Sequence, residues 1–283
     1  MKDILNIEAF ELNDSGQGYA EFSFSFNGEK VRSIRALIST REAGDMALPS
    51  GGNKDLILRE LYPGKARQDL FNSLQINSAY IYSCVSTHSR NVAAVEYPES
   101  RLLQDADGLV GMAPAILSVT VADCLPVYLY DNLHKVFALC HSGWKGTGIA
   151  ACAVELMKEK YKTRPGDISA ILGPCIQGDC YTVDEERAAQ FQAEFGGYGE
   201  YPLGPVVYEK QKNNTEARES GAAESGREYH LDMQAANAHI LADCGVKNIS
   251  YCVNCTFTDP GLGSFRREGP VGFTKMLAMI GGF

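Results

Sequence analysis

No apolar run in this sequence approaches the roughly 20 residues that a membrane-spanning helix needs, so no membrane association is expected. There is no block of basic residues and no interleaving of basic with aromatic side chains. With 26 Lys and Arg against 35 Asp and Glu, the formal net charge is −9. An acidic surface repels phosphate backbones, which argues against nucleic acid as a partner. The first residues meet Glu8 and Glu11 before any apolar core can form, so no targeting signal is expected and the reading is of a cytoplasmic protein. Histidine is scarce, at five, and Trp144 is the single tryptophan. The nine cysteines are odd in number and scattered through apolar runs, which argues against a disulfide framework. Reduced thiols are expected, with Cys84, Cys152, Cys244 and Cys252 buried as small hydrophobes.

What is present is an ordinary globular composition, 45% hydrophobic and 22% charged over 283 residues, ample for a substantial core. Residues 22–26 alternate with period two, Asn27-Gly28 offers a hairpin turn, and 31–39 returns. A helical pattern over 55–71 is interrupted at Pro63-Gly64. Strands are expected at 79–85, 91–96, 116–122, 127–130, 136–140, 168–172 and 249–253. Helices are expected from Thr147, as a cap, to about Lys162, over 184–195, from Asp232 through Ala242, and over 271–280. The polar stretch 210–228 reads as a surface insertion or mobile loop. These elements predict an α/β fold, a single domain over 1–283 with a mixed β-sheet flanked by helices.

Four segments place reactive side chains at the ends of apolar strands, where a rigid scaffold carries function. They are Thr87-His88-Ser89, Val121-Ala122-Asp123-Cys124-Leu125-Pro126, Leu139-Cys140-His141-Ser142-Gly143-Trp144-Lys145-Gly146, and Asn254-Cys255-Thr256 with Ser264-Phe265-Arg266-Arg267-Glu268-Gly269. A catalytic zinc takes three protein ligands and leaves one position open, and His88, Cys124 and His141 are candidates. Their spacing is a weak signal by itself. The same residues also permit a cysteine nucleophile beside a histidine, with Asp123 to orient it, or ordinary buried structure. His134 reads as exposed in a turn, His230 as local structure and His239 as surface. The Trp144 indole either packs over a site or fills the core.

Taken in order, these segments resemble the YfiH-like, or laccase-domain, family, also known as multicopper polyphenol oxidase proteins and regarded as purine nucleoside phosphorylases. Ser39-Thr40-Arg41 looks like the family's early S-T-R, and Ala106-Asp107-Gly108-Leu109 like its A-D-A/G-L/I step. Asp123-Cys124-Leu125-Pro126 and His141-Ser142-Gly143-Trp144-Lys145-Gly146 resemble A-D-C-x-P and H-A-G-W-R-G. Leu172-Gly173-Pro174-Cys175-Ile176 with Tyr181-Thr182-Val183, His230-Leu231-Asp232 with Asn237, and Cys255-Thr256-Phe257 with Ser264 to Gly269 match three more motifs. The resemblance covers most of the chain.

The resemblance implies a YfiH-like fold, similar to that of certain deamidating toxins with a cysteine hydrolase architecture. It implies metal ligation by His88, Cys124 and His141, by zinc with copper not excluded. The implied activity is phosphorolysis of adenosine, inosine or methylthioadenosine, with adenosine deamination beside it, and the implied partners are a purine nucleoside and phosphate. Arg41, Lys145 and Arg266 are candidate phosphate binders by charge. Asp123 is a candidate proton shuttle or ligand orienter, the orienter being favoured. Copper-dependent phenol oxidation, a cysteine hydrolase using Cys124 and His141, and a non-catalytic metal-binding role are the rivals. Five histidines are few for several coppers. Ser86-Thr87-His88-Ser89 departs from the family's Q-x-H-G, Ser142 from its Ala, and Lys145 from its Arg, which would keep the charge and lose bidentate anion recognition.

Overall fold

The computed structural model describes residues 5–13, 16–48, 64–96, 102–103, 105–197, 203–211 and 227–283. The strand Leu125–Asp131 is buried at every position and shows how the layers are built. Its odd-numbered residues Leu125, Val127 and Leu129 join one apolar cluster with the helices Ile149–Tyr161 and Met233–Asp243. Its even-numbered Tyr128 and Tyr130 join a second cluster with strands of another sheet. Period-two alternation thus gives one strand two apolar faces, each covered.

That strand is central in a seven-stranded sheet, flanked by Ile168–Leu172 and Phe137–Ser142. The sheet is mixed: Ile168–Leu172 runs parallel to Asn248–Cys252 and antiparallel to Leu125–Asp131. A six-stranded sheet packs on its inner face. Ile116–Val121 lies there between Met276–Gly281 and Ile81–Cys84. The outer face of this second sheet is covered by the helix Gly64–Ser73 through Leu70 and Phe71 against Leu277 and Met279. The result is a mixed α/β fold in which a helix layer, two sheets and a further helix stack. The helix Ile149–Tyr161 buries Ile149, Val154 and Met157, and full burial of such side chains contributes about 1.5–3 kcal/mol each.

Several expectations are corrected. The terminal segment is a strand, Met276–Gly281, and not a helix. Met276, Ala278 and Ile280 face the inter-sheet layer while Leu277 and Met279 face the helix Gly64–Ser73; an apolar run buried on both faces carries no period that separates strand from helix. Thr147 does not cap its helix: its hydroxyl donates to the Gly143 carbonyl at 3.0 Å, and Gly148, at φ 101°, is the N-cap. His239 is buried at 1% exposure, because the helix Met233–Asp243 is enclosed on nearly every side. Cys152 is exposed and Cys244 half-buried, while Cys84 and Cys252 are buried; all nine thiols are free. The expected mixed α/β architecture with flanking helices is present, its strands divided between two stacked sheets.

Asp184 and Asp232 cap their helices as expected, accepting from Arg187 N and Ala235 N. The Asn27-Gly28 turn joins Ser25–Phe26 to Glu29–Lys30, and Tyr19–Phe22 pairs with Arg35–Ser39 beyond it. Of the expected helix over 55–71, residues 55–63 lie outside the described residues, as do 212–226 of the expected insertion. The ends of that insertion are strands, Val207–Gln211 pairing with Arg227–Leu231. Among the described residues no helix is long and apolar enough to cross a membrane.

Candidate metal centre

The chain passes from the six-stranded to the seven-stranded sheet at a tight turn between Val121 and Leu125. Cys124 sits in that turn after Asp123, whose φ of 77° is rare for a residue with a side chain. The pairing of Pro126 with His141 and Leu125 with Ser142 brings the neighbouring strand alongside. His141 continues the face of Phe137 and Leu139 toward the inter-sheet layer and is 3% exposed. His88 arrives on the loop after Ile81–Cys84, also at positive φ, 60°.

These three side chains converge. One donor atom each from His88, Cys124 and His141 lies within 4.8 Å of the other two. The imidazole rings are edge to face, with centroids 5.0 Å apart and planes at 71°. Burial is graded, His141 buried, Cys124 half-buried and His88 exposed, so the cluster has a protein wall on one side and solvent on the other. Among the described residues, which include all five histidines, it is the one such cluster.

The residue that organises it is Asp107, which lies in the motif Ala106-Asp107-Gly108-Leu109 but carries no expected role at the site. Asp107 is fully buried. Its Oδ1 lies 2.9 Å from His141 Nδ1. Its two oxygens accept from the backbone N–H groups of Thr87, His88 and Ser89 and from the hydroxyls of Thr87 and Ser89, at 2.7–3.2 Å. One carboxylate therefore holds both the buried ligand and the loop that carries the exposed one. It also accounts for Ser89 in place of the family's Gly: the Ser89 hydroxyl donates to it at 2.7 Å. Burial pushes the Asp107 carboxyl up, but the bonds from His141, Ser89 and Thr87 outweigh it and hold it well below the ordinary carboxylate range. The available signal was a lone Asp within the apolar run 106–111, which must be paired if buried.

Donor chemistry and space fit a metal. With Nδ1 committed to Asp107, His141 presents Nε2 to the cluster, the carboxylate–histidine arrangement typical behind metal ligands. Burial pushes the Cys124 thiol up, but His141 and His88 more than reverse this and leave it lowered, toward the thiolate that a metal needs. Burial lowers His141, while Cys124 and Asp107 raise it by more. Gly143 keeps the cluster open: a Cβ there would stand 3.0 Å from both Cys124 Sγ and His88 Cδ2. At Gly146 a Cβ would meet the Ser89 carbonyl at 2.9 Å, so this glycine lets the two ligand-bearing loops touch.

The other predicted residues divide. Asp123 is 8% exposed and faces away from His141: Oδ1 accepts from the Thr256 hydroxyl at 2.6 Å and Oδ2 from Arg266 N at 2.7 Å. It anchors two loops, and the orienter of His141 is Asp107 instead. Arg266 is exposed, bonded to the Thr182 carbonyl at 3.0 Å and placed 5.3 Å from the Tyr181 ring. Lys145 is exposed and lies 5.4 Å from the Trp144 ring. Trp144 is half-buried over the site's flank, packing against the helix-side core. Arg41 is turned to Glu268, at 3.7 Å, and to the Pro260 carbonyl, and no described contact joins it to Lys145 or Arg266. His134 and His230 are structural, on Asp131 at 2.9 Å and on the Gly178 carbonyl at 2.8 Å.

A three-donor N₂S cluster at the ends of stacked strands, backed by a carboxylate and open on one side, makes this an α/β protein whose donors could hold a metal ion in the manner of a catalytic zinc site. The chain belongs to the family described as multi-copper polyphenol oxidoreductase laccase, which matches residues 64–281, the YfiH-like family. A purine nucleoside phosphorylase of Mycobacterium tuberculosis is 32% identical over 188 residues, 65% of this chain, which spans 66% of that relative's length, just under two thirds. The purine nucleoside phosphorylase YlmD of Bacillus subtilis is 30% identical over 203 residues, covering 70% of this chain and 65% of that protein. In fold, the chain is similar to YlmD of Geobacillus stearothermophilus, with TM-score 0.74, 23% identity and coverage of 96% and 98% of the two chains. YfiH of Bacillus licheniformis follows with TM-score 0.69, 25% identity and coverage of 88% and 92%.

Proposed function

We propose that this protein is a metal-dependent purine nucleoside phosphorylase, with zinc held by His88, Cys124 and His141 and with adenosine deamination as a second reaction of the same centre. The observation that carries the reading is the convergence of those three donors, with Asp107 behind His141, beside cationic side chains. The relatives named purine nucleoside phosphorylase support the reaction class. Bound there, zinc would supply Lewis acidity at the open side of the cluster. Two histidines and a thiolate suit zinc and admit copper. A multicopper oxidase needs more donors, and His134 and His230 are committed elsewhere.

In phosphorolysis a phosphate oxygen bonds to the anomeric carbon as the glycosidic bond breaks, and the purine leaves with the electron pair and takes up a proton. The protein's tasks are to hold the phosphate and to stabilise the charge that moves to the base. Lys145 and Arg266 are placed to attract the anion. Arg41, engaged by Glu268, shapes the loop that carries Arg266. Asp123 acts as a positioning residue for Thr256 and Arg266, since both its oxygens are occupied.

The Asp107–His141–Cys124 line also supports a second reading, a cysteine hydrolase in which Asp107 orients the base of a lowered thiol. Metal analysis of the purified protein and of Cys124→Ala, each incubated with adenosine and phosphate, separates the two. Near-stoichiometric zinc and adenine release, both lost in the variant, are expected. Metal-free protein that still turns over and fails only on loss of Cys124 would favour the hydrolase. Bound metal with no turnover of any purine nucleoside would overturn the phosphorylase reading.

A further inference from the structure

Beside the metal centre, cations and aromatic rings alternate in a ladder in which Arg187 alone lies outside the family motifs. The Trp144 ring carries two cations, the Arg187 guanidinium at 4.6 Å and the Lys145 ammonium at 5.4 Å. The Tyr181 ring carries Arg266 at 5.3 Å, and the Tyr181 hydroxyl meets Arg187. Trp144 directly follows Gly143, where a Cβ would stand 3.0 Å from Cys124 Sγ and from His88 Cδ2, so the ladder adjoins the candidate metal ligands. Arg187 is placed by Asp184, which caps the helix Glu185–Phe195 by accepting from Arg187 N at 2.8 Å.

The charges of this ladder are held in place without being neutralised. An aromatic face attracts a cation without neutralising its charge; the Arg266 guanidinium in addition donates to the Thr182 carbonyl and hydroxyl, so the donors on Trp144 are the freer ones. Among the described residues no carboxylate pairs with Lys145 or with Arg266, and the exposed Asp184 stands 3.7 Å from Arg187 as its ion-pair partner. Three neighbouring cations with one carboxylate between them run against a composition of net charge −9. Guanidinium groups match phosphate oxygens two at a time, whereas an ammonium acts as a point charge. The Arg187 guanidinium, with the Lys145 ammonium on the same Trp144 ring, therefore suits a phosphate dianion better than a carboxylate or a halide.

We propose that Lys145, Trp144, Arg187, Tyr181 and Arg266 form a phosphate-binding site beside the metal centre, with Arg187 as its unassigned binding residue. The inference rests on the phosphorylase reading for its purpose and not for its geometry. Arg187 supplies, at the same Trp144 ring, the guanidinium fork that Lys145 lacks. The phosphate group comes either from free orthophosphate or from a phosphate ester on the nucleoside.

Trp144, as the single tryptophan, reports on this site directly. The test titrates zinc-loaded protein with orthophosphate, with a purine nucleoside 5′-monophosphate and with the uncharged nucleoside at constant ionic strength, following Trp144 emission. A saturable change with phosphate is expected. In Arg187→Ala its midpoint should move at least about tenfold higher, as expected when a charged hydrogen-bonding group is lost, and Arg187→Lys should fall between. A midpoint for the monophosphate far below that of orthophosphate assigns the ester as the source; equal midpoints assign free phosphate. Silence of Trp144 to both anions, a response to the uncharged nucleoside alone, or equal midpoints in wild type and Arg187→Ala would overturn the proposal. Phosphate binding without nucleoside turnover would leave this site standing and remove the phosphorylase reading; turnover with a silent Trp144 would do the reverse.

Discussion

Asp107 and Asp123 are both buried carboxylates within reach of the metal ligands, and they do opposite things. Asp107 touches a ligand, His141, and collects the backbone of the loop that carries another, His88. Asp123 is the chain neighbour of a ligand yet bonds only outward, to Thr256 and to the backbone of Arg266. Adjacency in sequence therefore says less about a role at the metal than the direction in which a carboxylate finds its donors.

The largest expected effect tests the first half of that contrast. Asp107→Asn should weaken zinc affinity by about 10–100-fold, the usual cost of losing the carboxylate behind a metal-bound histidine. Competition with a chromogenic chelator measures it. Asp123→Asn should leave zinc affinity within about threefold, while lowering kcat/KM through the displaced Thr256 and Arg266 loops and costing about 1–3 kcal/mol of stability. If Asp123→Asn loses zinc as badly as Asp107→Asn, the division between the two carboxylates is wrong.

Zinc removal should act next. At zinc held about 100-fold above its dissociation constant, the metal stabilises the fold by about 2.7 kcal/mol, and chelation should lower Tm in the wild type. The shift should be preserved in Asp123→Asn and reduced in Asp107→Asn. Gly143→Ala sharpens the comparison from the space side. Its methyl would crowd Cys124 Sγ and His88 Cδ2, and about tenfold weaker zinc binding is expected with Asp107 intact. Unchanged affinity would show that the His88 ring swings clear of the added methyl while its backbone stays on Asp107.

The smallest effect concerns a third carboxylate, that of Glu268, whose partners are Ser264, Arg267, Thr274 and Arg41 and none of the clustered donors. Burial pushes Glu268 up, but the N–H groups of Ser264 and Thr274, the Thr274 hydroxyl and the Arg41 charge lower it to about 2. A carboxyl depressed in the folded state contributes stability that is fully present above its ordinary value near 4.5 and is lost as pH falls through about 2. Denaturation of Glu268→Gln against wild type should therefore show a constant deficit between about pH 5 and 8, on the order of 1–3 kcal/mol. That deficit should shrink below pH 4.5. A gap that widens toward acid would reverse the assigned direction.

Much of the fold was legible because its signals are local. Asp184 and Asp232 announced their helices through side chains that cap them, and Asn27-Gly28 announced its turn. The terminal strand Met276–Gly281 was misread because both its faces are buried, which erases the alternation that marks a strand. His239 was misplaced for the same reason, since a helix enclosed all round offers no polar face from which to judge. Among the site residues, His88, Cys124 and His141 were found through their motifs, and the structure brings their donors together. Arg41 was grouped with the other cations by charge, and only its contact with Glu268 separates it from them.

The sequence by itself determined which donors could serve a metal, where the chain turns and caps, and that a low count of histidine leaves room for one small cluster. Tertiary structure alone decided which carboxylate serves which partner. Asp107 meets His141 across 34 residues and Asp123 meets Thr256 across 133. Such pairings leave no local trace, because they follow from the stacking of two sheets and from the requirement that a buried charge find its donors wherever the fold places them.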